Sequence, residues 1–375
     1  MASGGRLLLS GQPGGGLHLY ATHPELQIGP LTLAVSGTLE ALGPWPSRVA
    51  AIAAMSLTGP PLLAAVWRLA PAICRLPPAA APRRRQLFLA GLVFLPVWTE
   101  VTTHFAHLDD LLALAFSVAA AHAVARRHPV LAGLALAMAA DAKPWAAAFA
   151  PMLLALPGRQ RWAALGVFTG GVAAVWLPFV LADPHTLLAA RFTIPNDSSS
   201  ALRVLGVDAA RTPWWDRPAQ LALGTAGGCV AVWRRRWPAV ILLAVSARIL
   251  LDPGVYSYYT SGALLGTVIV DLVVARWRLP WATAIGAALL YAARCTSEVY
   301  PFTLHELGVL RVVFAAGIPA LVLGVPGWLM ARVPGRHART AAGRPAVPGQ
   351  RAATGERAAV GERLPAGQHA VAGAA

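Results

Sequence analysis

The chain has 375 residues, of which 57% are hydrophobic and 13% are charged. Soluble domains carry about 25% charged residues, so this composition excludes an ordinary soluble domain and predicts an all-α bundle of transmembrane helices. The formal net charge of +15 comes from basic residues scattered in short clusters between apolar runs. Because that pattern favours membrane topology over nucleic-acid binding, we expect membrane lipids and no nucleic acid among the partners.

Residues 1–47 are predicted to form an outward-facing N-terminal segment. Residues 1–20 are rich in glycine and contain neither a signal peptide nor a complete first span. The weakly apolar run 26–42 is interrupted by glycine and proline, and it predicts an interfacial or re-entrant helix. Glu25 lies in the outward loop before this run, where it is either a catalytic base or a solvated loop acid.

Residues 48–330 are predicted to form a polytopic transmembrane domain, because a helix crosses a bilayer with about 20 mostly apolar residues. Nine runs in this region suit full spans. They cover residues 48–70, 86–103, 109–125, 162–182, 218–233, 237–251, 255–275, 280–297 and 308–330. The remainder, 331–375, is rich in Ala, Gly, Pro and Arg and is predicted to be a disordered basic tail.

The arginines predict the orientation of these spans. Cytoplasmic loops of membrane proteins carry an excess of Arg and Lys, and arginine clusters recur here in alternate loops and in the tail. Those loops and the C-terminal tail are therefore predicted to lie on the cytoplasmic side of the plasma membrane. The loop clusters are Arg75 with Arg83-Arg84-Arg85, Arg126-Arg127, Arg159 with Arg161, Arg234-Arg235-Arg236, and Arg276 with Arg278.

Two apolar runs, 130–141 and 146–156, are too short to cross a bilayer alone. Arginines that are predicted to be cytoplasmic flank the pair, so this segment must enter the membrane and return to the same side. Pro144 removes a backbone donor between the two runs and breaks the helix there. The sequence thus predicts a re-entrant helical hairpin whose tip carries Lys143 toward the outer face.

His104, His107, Asp109 and Asp110 stand at the outer end of the third predicted span. Ionisable groups at the edge of a bilayer are costly to desolvate and often mark a functional site. A carboxylate here is a candidate general base, and an imidazole is a candidate for orienting a substrate or relaying a proton. The alternative is helix capping by an aspartate, for which one carboxylate is sufficient.

Two basic residues on the predicted outer side are candidate phosphate contacts. Lys143 either binds a substrate phosphate as a point charge or pairs with Asp141 or Asp109 until substrate arrives. Arg248 either clamps a phosphate in a bidentate manner or forms a salt bridge with Asp252 at helical spacing.

Tyr258 and Tyr259 follow Arg248 at the same predicted end of the bundle. They suit an interfacial aromatic belt, or they contact a sugar or a lipid head group. The sequence contains no phosphate-binding glycine loop and no zinc or redox motif. We therefore assign no cofactor and no metal ligand.

The segment from His107 to Trp145 resembles a family of membrane enzymes. It begins His107-Leu-Asp109-Asp110-Leu-Leu-Ala-Leu-Ala-Phe, continues through Arg126-Arg127, and ends in a small-residue helix that closes with Asp-Ala-Lys143-Pro-Trp. This pattern is similar to that of the polytopic GT-C glycosyltransferases. The similarity is greatest to the bacterial, chiefly actinobacterial, polyprenyl-phosphate-mannose-dependent mannosyltransferases of glycosyltransferase family 87.

The resemblance implies a GT-C-like fold over residues 20–330. It also implies transfer of a hexose, mannose above all, from a polyprenyl-phosphate sugar to a cell-envelope lipid or glycan at the outer face. In such an inverting displacement a carboxylate deprotonates the acceptor, and cationic groups stabilise the leaving lipid phosphate.

The match assigns roles residue by residue. Asp109 or Asp110, with His107, corresponds to the family's His/Asp site, and Lys143 corresponds to its hairpin lysine. Family members also place an acidic residue just after a first span, and Glu25 is the only nearby acid in this sequence. We therefore expect either an additional apolar stretch upstream of Met1 or a divergent member of the family.

Two other functions remain open from the sequence. A transporter or flippase for a lipid-linked saccharide would use the same charged cluster and broken hairpin for binding alone. Transporters tend to show internal repeats of matching helices, and inspection of the sequence finds none. A non-catalytic membrane subunit is the third possibility, and it gains weight if Met1 is the true start.

Overall fold

The computed structural model describes residues 2–74, 81–105, 107–275, 277–295 and 302–325. Within these residues the chain is helical, apart from connecting loops and an isolated antiparallel bridge between Pro195 and Arg211. This agrees with the predicted all-α class, while the predicted tail, 331–375, lies outside the described residues. The α-helices are α1 (Ala2–Leu9), α2 (Leu19–Thr22), α3 (Pro30–Glu40), α4 (Pro44–Cys74), α5 (Ala81–Phe105), α6 (Leu108–Arg126), α7 (Pro129–Ala142), α8 (Arg159–Ala182), α9 (Ala201–Val204), α10 (Asp216–Trp233), α11 (Val240–Leu251), α12 (Tyr259–Ile269), α13 (Trp281–Ala287), α14 (Ala293–Cys295), α15 (Leu304–Val312) and α16 (Ile318–Gly324).

Several segments adopt tighter or wider helical turns than the α-helix. The 3₁₀ segments are Gly16–His18, Pro144–Ala155, Pro184–Arg191 and Trp237–Ala239. The π-helical segments are Val270–Val274, Ala288–Ala292 and Val313–Gly317. The π segments continue α12, α13 and α15, so these three helices change their winding partway along their length.

Five helical stretches are long and apolar enough to cross a membrane, as a multi-pass membrane protein requires. The predicted total of nine full spans is not confirmed, because the other apolar helices are shorter or less apolar. Predicted span 255–275, for example, corresponds to the helix Tyr259–Val274, which is one of the shorter apolar helices. The five stretches are Pro44–Ile73, Arg83–His104, Leu108–Arg126, Arg159–Ala182 and Leu304–Gly324.

The predicted hairpin consists of α7 and the 3₁₀ segment Pro144–Ala155, joined at Lys143. The 14 residues of α7 rise about 21 Å at 1.5 Å per residue. The 12 residues of the returning segment rise about 24 Å, because a 3₁₀-helix gains about 2.0 Å per residue. The more extended winding lets fewer residues return over a similar distance, and both arms are shorter than the ~30 Å hydrocarbon core.

Helix α8 runs in the same direction as α7, which shows that the hairpin returns the chain to its starting end. Gly133 lies against Ala164, and further along both helices Ala137 lies against Gly171. A side chain at Gly133 would place its Cβ 2.3 Å from the Ala164 carbonyl oxygen. The absence of a side chain at Gly133 therefore allows the two backbones to approach this closely.

Two of the arginine clusters contact neighbouring helix ends at one end of the bundle. Arg236 donates a hydrogen bond to the Leu323 carbonyl at 2.9 Å, at the C-terminal end of α16. Gln86, beside the arginine triplet of α5, donates to the Asp271 carbonyl at 3.0 Å, and Arg83 donates to the Leu272 carbonyl at 2.8 Å. Both arginine clusters therefore lie at the same end of the bundle as segments that were predicted to be on their side of the membrane. The cytoplasmic assignment of that side stays a prediction.

The N-terminal segment packs on the hairpin tip. The Gly29 amide and the Thr32 hydroxyl donate to the Ala142 carbonyl at 3.0 and 3.1 Å. A Cβ at Gly29 would lie 1.9 Å from the Asp141 carbonyl oxygen, so only glycine fits there. The predicted helical run 26–42 contains α3, whose N-terminus packs against the last turn of α7.

Candidate functional site

The first turn of α6 carries the two aspartates that the sequence singled out. Helix α6 begins at Leu108, and the residue that precedes it, His107, makes no side-chain cap. Asp109 and Asp110 are both buried. Their negative charge suits the positive end of the helix dipole, but neither residue occupies the N-cap position. Simple capping therefore does not account for the pair.

Lys143 lies between the two arms of the hairpin and points into this turn. Its backbone is extended, with φ −145° and ψ 110°, as expected for a residue that precedes a proline. Its Nζ donates to Asp109 Oδ2 at 2.6 Å and to Asp110 Oδ2 at 2.8 Å. Of the two alternatives left open for Lys143, the ion pair is the one formed in the structure, and its partners are Asp109 and Asp110 together rather than Asp141.

The charges of this cluster do not cancel. Two carboxylates share one ammonium, and the side chains of Asp109, Asp110 and Lys143 are only 1%, 8% and 7% exposed. With a neutral His107 the cluster carries one net negative charge. Buried charges are costly unless they are paired. The net negative charge of the cluster therefore favours the binding of a further positive charge.

His107 and Tyr258 form the wall of the cluster. The two rings lie 3.7 Å apart between centroids, and His107 Nδ1 lies 3.3 Å from Asp109 Oδ1. The ammonium of Lys143 lies 4.8 Å from the centre of the Tyr258 ring, which is within cation–π distance. Tyr258 thus contacts both the imidazole and the ammonium from one side.

Arg248 belongs to a second cluster beside the first. Its guanidinium donates to the Tyr259 hydroxyl at 2.6 Å and to Gln220 Oε1 at 2.8 Å, and it pairs with Asp252 at 3.0 Å. The salt bridge to Asp252 that the helical spacing allowed is therefore formed. Tyr259 links the second cluster to the first, because its ring contacts that of Tyr258 with 4.7 Å between the ring centroids. Arg248 Nε is buried without a hydrogen-bond partner.

Asp216 and Gln220 complete the second cluster, and the sequence reasoning did not identify them as site residues. Gln220 donates to Asp216 Oδ2 at 2.7 Å while it accepts from Arg248. Burial and the nearby charge of Asp252 raise the pKa of Asp216 to about 7. Their i,i+4 spacing on α10 was visible in the sequence, but no local signal linked them to Arg248, 28 residues beyond Gln220.

A shallow apolar cleft, about 250 Å³ when the space open to solvent is included, lies beside the first cluster. Its polar end is formed by His107, Asp110 and Tyr258, and its other walls come from α4, α5, α6 and α12. Such an arrangement places charged groups at the end of a hydrocarbon surface. The apolar lining residues are Met55, Trp98, Val101, Leu111 and Leu114.

The remaining predicted site residues lie outside this cluster. Glu25 pairs with His23 at 3.1 Å on the exposed loop before α3. His104 is exposed in the last turn of α5. Neither belongs to the one group of potential metal ligands that the described residues form, which consists of His107, Asp109 and Asp110.

No protein-family model, curated protein or solved structure matches this chain. The resemblance to GT-C glycosyltransferases therefore remains a prediction from the residues quoted for it. Inference about function accordingly rests on the chemistry of the two clusters.

Proposed function

We propose that this chain is an integral membrane glycosyltransferase of the GT-C type. It transfers a hexose, mannose by the family resemblance, from a polyprenyl-phosphate sugar to a cell-envelope lipid or glycan. The observation that carries the proposal is the convergence of Lys143 with Asp109 and Asp110, at 2.6 and 2.8 Å, beside an apolar cleft. In this proposal the cluster faces the outside of the plasma membrane, and the C-terminal tail is cytoplasmic.

The proposed chemistry needs a base for the acceptor and a cation for the leaving group. The acceptor oxygen attacks the anomeric carbon, while Asp109 or Asp110 takes the hydroxyl proton. The bond from that carbon to the lipid phosphate oxygen breaks, and its electron pair leaves with the phosphate. Attack from the opposite face inverts the anomeric centre. The Lys143 ammonium stabilises the charge that develops on the phosphate.

The ion pair gives Lys143 a second role in this scheme. While it bonds both carboxylates, neither is well placed to accept a proton from a substrate. A donor phosphate attracts the same ammonium, so donor binding would draw Lys143 away and free the base. Binding of the leaving group and readiness of the base are thereby coupled through one side chain.

The cleft supports a lipid-linked donor over a soluble one. Its walls are mainly apolar side chains, including Met55, Leu111 and Leu114, with Thr102 and Ser261 among them, and its polar end carries Asp110 and His107. An isoprenoid chain that lies against this surface would bury apolar area at about 25 cal/mol per Å². Its phosphate would then lie at the charged end.

Arg248 is the second cation of the proposal. Asp252, Tyr259 and Gln220 already hold its terminal nitrogens. Its main contribution is therefore to fix Tyr259, and through it Tyr258, beside Lys143. The buried Nε–H is one donor that remains for a phosphate oxygen.

The test is sugar transfer in membranes that contain the full chain, with labelled polyprenyl-phosphate mannose and native envelope lipids. Asp109→Asn and Asp110→Asn each preserve side-chain shape and remove the carboxylate. We expect the variant that lacks the base to lose at least about 10²-fold in rate. Asp208→Asn, on an exposed loop, should transfer at the wild-type rate. Equal transfer by the wild type and the double Asn variant would refute the assignment.

A transporter for a lipid-linked saccharide is the second candidate, and the broken hairpin favours it. Discontinuous helices with a charged residue at the break are typical of transporter binding sites, and Lys143 occupies such a break. Proteoliposomes loaded with the intact labelled lipid-linked sugar separate the two functions. Movement of the unchanged lipid across the bilayer without a new product supports transport. Neither transfer nor movement supports a non-catalytic subunit.

A further inference from the structure

Three ligand atoms in the first cluster lie at the spacing of a metal site. His107, Asp109 and Asp110 each offer one atom, and these atoms lie within 4.8 Å of one another. His107 Nδ1 is 3.3 Å from Asp109 Oδ1 and 4.0 Å from Asp110 Oδ2. Ligands about 2.1 Å from one ion are roughly 3.0 Å apart in octahedral geometry and 3.4 Å apart in tetrahedral geometry. The 3.3 Å distance to Asp109 matches these values, whereas the 4.0 Å distance to Asp110 exceeds both, so the Asp110 carboxylate would rotate toward a bound ion.

Two of the three residues carry buried atoms with unmet bonding capacity. Asp109 is 1% exposed, and its Oδ1 has no hydrogen-bond partner. His107 Nδ1 is likewise buried and lacks a hydrogen-bond partner. The two atoms lie 3.3 Å apart, and one ion between them would bond both. A buried carboxylate oxygen left without a partner is costly.

The net charge of the first cluster also favours a bound cation. Asp109, Asp110 and Lys143 leave one negative charge inside the protein if His107 is neutral. The other buried cation nearby, Arg248, is paired with Asp252. A divalent ion in place of the ammonium would bring the two carboxylates to exact neutrality.

We propose that His107, Asp109 and Asp110 bind a divalent cation of the Mn²⁺ or Zn²⁺ class, in competition with the Lys143 ammonium. An imidazole with two carboxylates suits these ions. Lys143 has a long flexible side chain, and the Tyr258 ring 4.8 Å from its Nζ offers a place to move toward. The site therefore exchanges one cation for another, which keeps the carboxylates paired in both states.

The consequence for catalysis rests on the proposed function. An ion bound through one oxygen of each aspartate releases Lys143 to a donor phosphate and leaves the other carboxylate oxygens to accept the acceptor proton. The binding itself does not depend on that function, because it follows from the three side chains alone. A direct measurement of ion binding therefore separates the two ideas.

The test is Mn²⁺ binding to the purified full chain in detergent micelles, followed by the loss of the free-ion electron paramagnetic resonance signal. Wild type is expected to bind one Mn²⁺. Lys143→Met removes the competing cation, so it should bind at least about tenfold more tightly, equivalent to ~1.4 kcal/mol. Asp109→Asn should lose the site. Asp208→Asn, which removes an exposed carboxylate outside both clusters, should bind as wild type does.

His107→Phe gives a spectroscopic check. Phenylalanine keeps a ring beside Tyr258 but removes the nitrogen, so the ¹⁴N coupling in the bound Mn²⁺ spectrum should disappear. Helicity and gel-filtration profiles confirm that each variant is folded. Binding of equal strength in wild type, Asp109→Asn and Lys143→Met would overturn the site. Mn²⁺ binding without sugar transfer would keep the site and reject only the transferase.

Discussion

Replacing Lys143 with methionine should be the most destabilising single change in the first cluster. Methionine matches the length of the lysine stem but cannot donate to Asp109 or Asp110, whose side chains are 1% and 8% exposed. The variant leaves two like charges in a buried site with no ammonium between them. Unpaired buried charge is a recognised cause of large destabilisation.

The expected loss of stability in Lys143→Met follows from the contacts that the substitution removes. Removing one partner of a buried ion pair costs about 3–5 kcal/mol, and here the lost partner bonds two carboxylates at 2.6 and 2.8 Å. The cost should shrink in acid, since protonation of a carboxyl group removes the unpaired charge. Adding Asp109→Asn and Asp110→Asn to Lys143→Met should restore most of the loss, because no charge then remains buried.

The assay is equilibrium unfolding in detergent micelles, followed by circular dichroism. The matched control is Arg203→Met, which breaks the 3.3 Å pair with Asp208, a residue that is 86% exposed. Exposed pairs contribute about 0–1 kcal/mol. If Lys143→Met lost no more stability than Arg203→Met, or if the triple variant were the least stable, the buried-charge reasoning would be wrong.

Three other residues give separate tests. Gly29→Ala places a methyl group 1.9 Å from the Asp141 carbonyl oxygen, so the N-terminal segment should detach and be cleaved faster by protease. Gly11→Ala, in open space, should change stability by under about 0.5 kcal/mol, and equal cleavage of both variants would contradict the packing. Arg236→Gln leaves carbonyls at the end of α16 with fewer donors and should cost about 1–3 kcal/mol in the unfolding assay; no loss would disprove this capping role. Burial raises the pKa of Asp216 from 3.8 to about 7, so the folded chain binds the extra proton and stability falls as pH rises between these values. Asp216→Asn should flatten that pH dependence, and identical slopes would argue against it.

The hairpin was predictable because its signals are local. Flanking arginines, two short apolar runs and Pro144 all lie within one stretch of sequence. They predicted the break in the helix and the position of Lys143 on the same side of the membrane as the aspartates. The 3₁₀ winding of Pro144–Ala155 was not predicted. Its apolar composition suits an α-helix equally well, and the choice depends on the packing around it.

The number of spans shows the opposite case. Apolar runs such as 237–251 and 255–275 have the composition of membrane helices, but the helices that the structure forms there, Trp237–Leu251 and Tyr259–Val274, are shorter than the five candidate spans. Hydropathy measures how apolar a run is. It does not record where packing against neighbouring helices begins and ends a helix.

Composition and local pattern alone predict a helical, membrane-type chain, arginines segregated into alternate loops, and the candidate cluster around Asp109. The packing of separate helices establishes that Lys143 bonds both aspartates across 33 and 34 residues, and that Gln220 reaches Arg248 across 28. Composition and periodicity describe neighbours within a few turns of one helix. The partners of a buried charge are set by how separate helices pack, and burial makes those partners decisive for both stability and chemistry.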